Sequence, residues 1–301
     1  VEFWTANILT NPTTHAVNMV SGLALDAWHI GVVKPLAGAI GSTRGLADMG
    51  AAERITLSEA AASISAGTRA IADGMRGMFD VLMTNQSQFD KIGRGDAKTE
   101  TMGALGTKLG ETFGRKGEVA AEVLTPAFRL LRAEDELFKT IAFRSEIAGL
   151  ATRSGIMAGL EGDALKAHAD AFLKNPPEEA YKAALQKADE LTLQDTQMGG
   201  GIIGVVGMEA RKLTSRFPAL KFIMPFITTP VNAVATGIES SMFAAVSPKL
   251  WKDIRSGGAA SDMAIAKIVS GTALTGFAYL LYQQGMLTGA GPENPEQKKM
   301  L

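Results

Sequence analysis

Apolar positions recur at helical spacing almost from end to end of this chain. Alternating runs of Val, Ile, Thr and aromatic residues, closed by Asn-Gly or Asp-Gly, do not occur. Strand signals are therefore nearly missing, whereas i, i+3, i+4 spacing recurs throughout. The pattern predicts an all-α chain without significant sheet, laid out as an extended, multi-segment helical assembly with Gly and Pro hinges. A short helix is expected before Asn11-Pro12, then a longer one from about Thr14 to Ile30. Pro35 and the glycines at 38, 41 and 45 are expected to break or bend the chain beyond it. Thr56-Leu57-Ser58-Glu59 signals the next helix, over 56–83, with Thr56 or Ser58 as cap and Glu59 in the first turn. Ile64, Ile71, Met75, Met78 and Leu82 form an apolar stripe along it.

Residues 84–117 are polar and glycine-punctuated and read as a flexible linker. Helix returns over 118–160, where Asp135 with Lys139 and Arg132 with Glu136 sit at i,i+4 spacing. A short amphipathic helix over 161–174 comes next, and Pro176-Pro177 opens another, where a missing N–H costs little. Gly199-Gly200-Gly201 reads as a hinge ahead of two long apolar stretches. No charge falls between Lys221 and Glu239, yet Pro225 and Pro230 lie inside that run and force it to bend. From Ile268 to Pro292 there is again no Asp, Glu, Lys or Arg; Gly257-Gly258 forms the hinge before a last helix over 261–284. The chain thus divides into an N-terminal helical segment (1–83), the linker (84–117), an amphipathic helical region (118–198) and an apolar hinged region (199–301), and reads as a piece of a longer polypeptide.

Charge adds little to this outline: 30 basic residues balance 31 acidic ones, which gives no global case for nucleic acid or an anionic membrane. Cysteine is absent, which removes disulfides, thiolate catalysis and Cys-based metal sites. Candidate chemistry is sparse. His15, His29 and His168 lie far apart without carboxylates at ligand spacing and read as capping, turn or surface residues. Glu134, Asp135 and Glu136 point about 100° apart on a helix and cannot converge on one ion. They read as a solvated or inter-helix salt-bridge face, with Arg132, Lys139 and Arg144 to pair with them. The glycines at 199–204 lack the Lys-Ser/Thr and the preceding strand of a phosphate loop. No catalytic, cofactor or metal residue is assigned, and the reading is not that of an enzyme.

Residues 263–283 approach the length that spans about 30 Å of hydrocarbon, with Lys267 near one end to snorkel and Tyr279 and Tyr282 near the other as interfacial aromatics. A helix buried in protein wants the same side chains. Phe222, Ile223, Phe226, Ile227, Ile268, Leu274, Phe277, Leu280 and Leu281 are accordingly the expected membrane or assembly contacts. Pro225, Pro230, Gly199, Gly200, Gly201, Gly257 and Gly258 are the expected hinges.

Three phrases also carry a resemblance. NILTNPTTHAVNMVSG, LLRAEDELFKTIAFRSEIAGLA and FPALKFIMPFITTPVNAV stand in this order along the chain. They resemble stretches of very large tailed-phage virion proteins, and the ending GAGPENPEQKKML looks like the lead into their next segment. Thr228 stands where the family pattern often has Arg. The resemblance implies an internal virion or ejection protein, packaged in the capsid and delivered into the host envelope. Its implied partners are further copies of itself, other phage ejection or portal proteins and the host inner membrane, with DNA only as passing cargo. It also allows a second role, a helical scaffold that positions a transglycosylase, protease or RNA polymerase domain located elsewhere.

Overall fold

The computed structural model describes residues 11–46, 53–89, 115–193, 236–241 and 248–285. Among these residues there are eight α-helices and no strand, so the all-α expectation holds. Helix α1 spans Pro12–Trp28, capped by the Asn11 side chain, which accepts from the Thr13 N–H at 2.9 Å. It does not stop near Ile30. It runs through a π-helical turn, His29–Val33, into α2, Lys34–Leu46. The expected break at Pro35 is absent for a physical reason. The π turn lies immediately before Pro35, and its wider ladder, with the Lys34 N–H reaching the His29 carbonyl, takes up the irregularity that a proline without an N–H imposes.

Helix α3, Leu57–Thr84, starts on Thr56, whose Oγ1 accepts from the Glu59 N–H at 3.1 Å, and ends on Asn85 in the left-handed region. Helix α4, Arg115–Met157, is the longest and carries Pro126 inside it. Helices α5, Gly162–Lys174, and α6, Glu178–Leu191, come next, the latter after Pro177 as the sequence predicts. Helix α7, Pro248–Ser256, and helix α8, Gly258–Gln283, close the described chain. Between them Gly257 and Gly258 take positive φ of 70° and 58°, a turn that side chains with a Cβ resist. The remaining expected hinges and contacts, Gly199–Gly201, Phe222, Ile223, Pro225, Phe226, Ile227 and Pro230, lie outside the described residues.

The helices form a bundle around α4. Helix α3 packs along it most extensively; α5, α6 and α1 also pack on it, while α8 rests on α2 and α7. One core cluster joins Ile30, Ala70, Leu137, Phe138 and Ile141, and a second joins Val33, Ala37, Ile55 and Ala266. Helix α3 splits the apolar stripe, since Met78 packs against the first core cluster. Its buried positions are the small ones, Ala60, Ser63, Gly67, Ala70 and Gly74, together with Val81. The large stripe residues Ile64, Ile71 and Met75 face solvent. Small residues win the inner face because they let α4 come close: a Cβ on Gly74 would sit 2.8 Å from Leu137 Cδ1 and 3.0 Å from its carbonyl oxygen.

Candidate functional site

The interior of this bundle is ionised to an unusual degree. Lys34 and Glu59 are fully buried, and so is Asp262. Lys34 pairs with Glu146 at 2.8 Å and donates to Ser63 Oγ at 2.8 Å. Glu59 turns inward and takes two bonds from Arg153, at 2.8 and 2.6 Å, in the bidentate form that arginine suits. Gly149 makes this meeting possible. A Cβ there would lie 2.5 Å from Ser63 Oγ, 2.7 Å from Lys34 Nζ and 3.3 Å from Glu59 Cγ. Burial would push the Glu146 carboxyl up, but Lys34 and Lys187 outweigh it and hold the group at about 2. Lys187 and Lys267 share Glu190, at 2.5 and 2.9 Å, and keep that buried carboxyl charged as well.

Among the buried side-chain atoms without a hydrogen-bond partner in the described residues, those of Asp26 and His29 stand in this interior beside the ion pairs. Asp26 is 3 % exposed, neither carboxylate oxygen is hydrogen-bonded, and burial pushes its pKa up to about 7. His29, whose Nε2 also lacks a partner, is buried rather than a surface or turn residue. Burial, helped by Lys187 and Lys267, lowers it to about 3, so the ring is neutral at ordinary pH. His15 is likewise no surface residue: its Nδ1 lies 2.7 Å from Glu134 Oε1. His168 lies 3.2 Å from Ser154 Oγ. The Thr-His-x-x-Asn phrase and the acidic helix, far apart in sequence, therefore meet at Glu134. The acidic triplet does not converge on one point. Glu134 takes His15, the buried Glu136 takes the Ser87 hydroxyl, and Lys139 pairs with Asp189 of α6 at 2.9 Å rather than with Asp135 one turn away. Arg132 donates to the Asn85 carbonyl at 2.8 Å instead of closing an i,i+4 pair with Glu136. No group of three metal-ligating side chains occurs among the described residues.

Helix α8 carries the expected contact residues and falls into two halves. The first half is docked. Arg44 pairs with Asp262 at 2.8 Å and donates to the Gly258 carbonyl at 3.0 Å, and the Ile55 N–H donates to Asp262 at 3.0 Å. Lys267, read from sequence as a snorkelling end residue, is held by Glu190. Ile268 is partly buried against Leu250 and Ala264. The second half projects. After Gly271 no residue of α8 is buried: Leu274, Phe277, Tyr279, Leu280 and Tyr282 are exposed, and Leu281 is half-buried. Phe277 keeps 58 % of its surface in water. These side chains point in all directions around the axis, so no single partner face accounts for them.

Both α8 and the continuous stretch Pro12–Arg44 are long and apolar enough to cross a membrane by length and composition. The exposed part of α8, residues 272–283, measures about 18 Å at helical rise, against about 30 Å of hydrocarbon. No known family model, no curated protein and no solved structure matches this chain. Sequence reasoning found the apolar half of α8 from its uncharged run. It missed the Arg44–Asp262 lock and the unsatisfied groups of Asp26 and His29. The available signal was the isolation of single charges inside otherwise apolar helices.

Proposed function

We propose that this chain is a structural, non-enzymatic segment of a tailed-phage internal virion (ejection) protein. It assembles with copies of itself or with other ejection or portal proteins to help form a conduit for phage DNA across the host envelope. Its place is then the capsid interior or portal region, and after ejection the host envelope, with DNA passing as cargo and no sequence-specific contact to it. The observation that carries this reading is the second half of α8, an apolar helical peg exposed on every side and anchored at its base by the Arg44–Asp262 and Lys267–Glu190 ion pairs. Such a peg needs an apolar environment that the bundle does not supply. A peg of this length reaches into one leaflet, or into a partner subunit, while the bundle stays folded. The all-α architecture suits a chain that must thread and refold, because local contacts re-form fast.

The test is flotation with vesicles of mixed zwitterionic and anionic lipid. The wild-type chain is expected to float and Leu274→Asp to stay in the dense fraction, since a charge in the hydrocarbon costs roughly 2.5–3.5 kcal/mol. A wild-type chain that never floats, or a mutant that floats equally well, refutes the peg. A second reading has its own observation. The ion-paired docking of the first half of α8 is how a helix joins a helical domain, which fits a scaffold that positions a catalytic domain elsewhere in a longer protein. Under that reading the chain ignores lipid, and the peg docks on a neighbouring domain.

A further inference from the structure

Helix α3 leaves an apolar ridge that nothing in the described bundle covers. Ile71, Met75, Phe79 and Met83 stand at i+4 intervals on its outer side, with Ile64 two turns before them. All five are exposed, Met83 to 81 %. Along one flank of the ridge run Arg69, Asp73, Arg76 and Asp80, also exposed, in alternating sign. Within the chain their contacts are slight: Arg76 lies 3.3 Å from Asp73, and Arg69 donates to Ser65 Oγ at 2.9 Å.

We infer that this ridge pairs with the same ridge of a second copy of the chain, the two α3 helices antiparallel about a two-fold axis passing between Gly74 and Met75. That axis levels Arg69 with Asp80 of the second copy and Asp73 with Arg76 of the second copy, giving four cross-helix opposite-charge pairs. A two-fold of this kind keeps a flank on the same side in both helices, so the two charged edges run beside each other. The same axis sets Met75 beside Met75, Ile71 level with Phe79 to within one residue, and Ile64 level with Met83 to within about two. One register thus satisfies the apolar ridge and the charges together. A parallel pair would instead place the two charged flanks on opposite sides of the seam and leave these charges unpaired, which disfavours it. Ridges built on i±4 rows are the commonest way for two helices to pack.

Lipid is a poorer occupant of this face. Helices that lie on membranes line their polar flank with Lys and Arg, whereas here Asp73 and Asp80 break the basic edge and would face anionic headgroups. The pairing stands apart from the delivery reading: it needs no membrane and no phage partner, and a failure of flotation leaves it intact.

The test is the mass of the whole chain in lipid-free solution by sedimentation equilibrium. The wild type is expected to dimerise. Arg69→Asp and Asp80→Arg should each weaken the dimer about tenfold, because each converts two attractive pairs into two repulsive ones. The double swap R69D/D80R should return the affinity to within about threefold of wild type, and Phe79→Asp should remove the dimer. Far-UV circular dichroism checks that each variant keeps its helices. Because the chain has no cysteine, Met75→Cys should give a disulfide-linked dimer on mild oxidation, while Leu57→Cys, at the far end of α3, should not. A swap no better than its single variants overturns the proposal, as does equal cross-linking from both cysteine positions. A wild-type monomer overturns it too. If Met75→Cys in that monomer resists a thiol reagent, another segment of the chain holds the ridge; if it reacts and the protein floats with vesicles, the face belongs to lipid.

Discussion

The stretch Pro12–Arg44 and helix α8 are equally good membrane candidates by length and composition, and the same share of each, 22 %, is buried. They differ in where that burial falls. In the first, burial begins only at Asp26 and takes in His29 and Lys34, while Val17 and Val20 before it are exposed. Its two ends are nevertheless tied to the bundle, by His15 on Glu134 and by Arg44 on Asp262. In α8 the buried residues, from Ser261 to Gly271, all lie in the first half, and the second half is free. Mean apolarity does not separate the two. The placement of ion pairs does, since a paired buried charge such as Lys34 on Glu146 pins the turn that carries it, and residues 272–283 of α8 carry no charge at all.

The largest effect that would break this contrast is at the lock itself. Asp262→Ala strands Arg44 and the Ile55 N–H, and is expected to cost about 3–5 kcal/mol in urea denaturation. If the loss is under about 1 kcal/mol, the first half of α8 is not docked through this pair. Gly149→Ala pushes a methyl into the junction of Lys34, Ser63 and Glu59, and a loss of about 2–3 kcal/mol is expected in the same assay.

The next test sharpens the contrast through pH. Asp26 binds its proton more tightly folded than unfolded, its pKa being raised from 3.8 to about 7. Its contribution is therefore most favourable below pH 3.8 and is lost as pH rises through about 7. Asp26→Asn is expected to stabilise the fold by about 4 kcal/mol at pH 8 and hardly at all at pH 4, read as the change in Tm across that range. A pH-independent gain would mean that Asp26 stays charged in the folded chain. The smallest effect is at the peg. Leu274→Asp should move folding stability by no more than about 0.5 kcal/mol, because the side chain is already in water, while it abolishes flotation. A large loss of stability there would show that the second half of α8 is packed.

Much of the fold was legible in the residues. The helices after Thr56, after Pro177 and before Gln283 begin or end within a few residues of their sequence signals, because caps and prolines act locally. Pro35 misled for the same reason. A local rule predicts a break there, but the π turn ahead of it and the packing of Val33 and Ala37 on both sides carry the helix through. On α3 the stripe residues divide, Met78 packing on the core while Ile64, Ile71 and Met75 are exposed. Spacing shows that Ile64, Ile71 and Met75 share a face but not that this face is outside; the glycines and alanines opposite decide that, by how closely α4 can approach. The uncharged run of α8 was plain in the residues, but neither the exposure of its second half nor the ion pairs beneath its first half was. Arg44 and Asp262 are too far apart in the chain for spacing to relate them.

By itself the sequence determined the helical class, the positions of most helix ends and the two apolar stretches, all of which rest on contacts within one or two turns. Only the tertiary structure decided which face of each helix lies inside, which lone charges find partners, and how much of α8 stays free. Those outcomes depend on the distance between backbones and on which charges share one interior, and no local pattern encodes either.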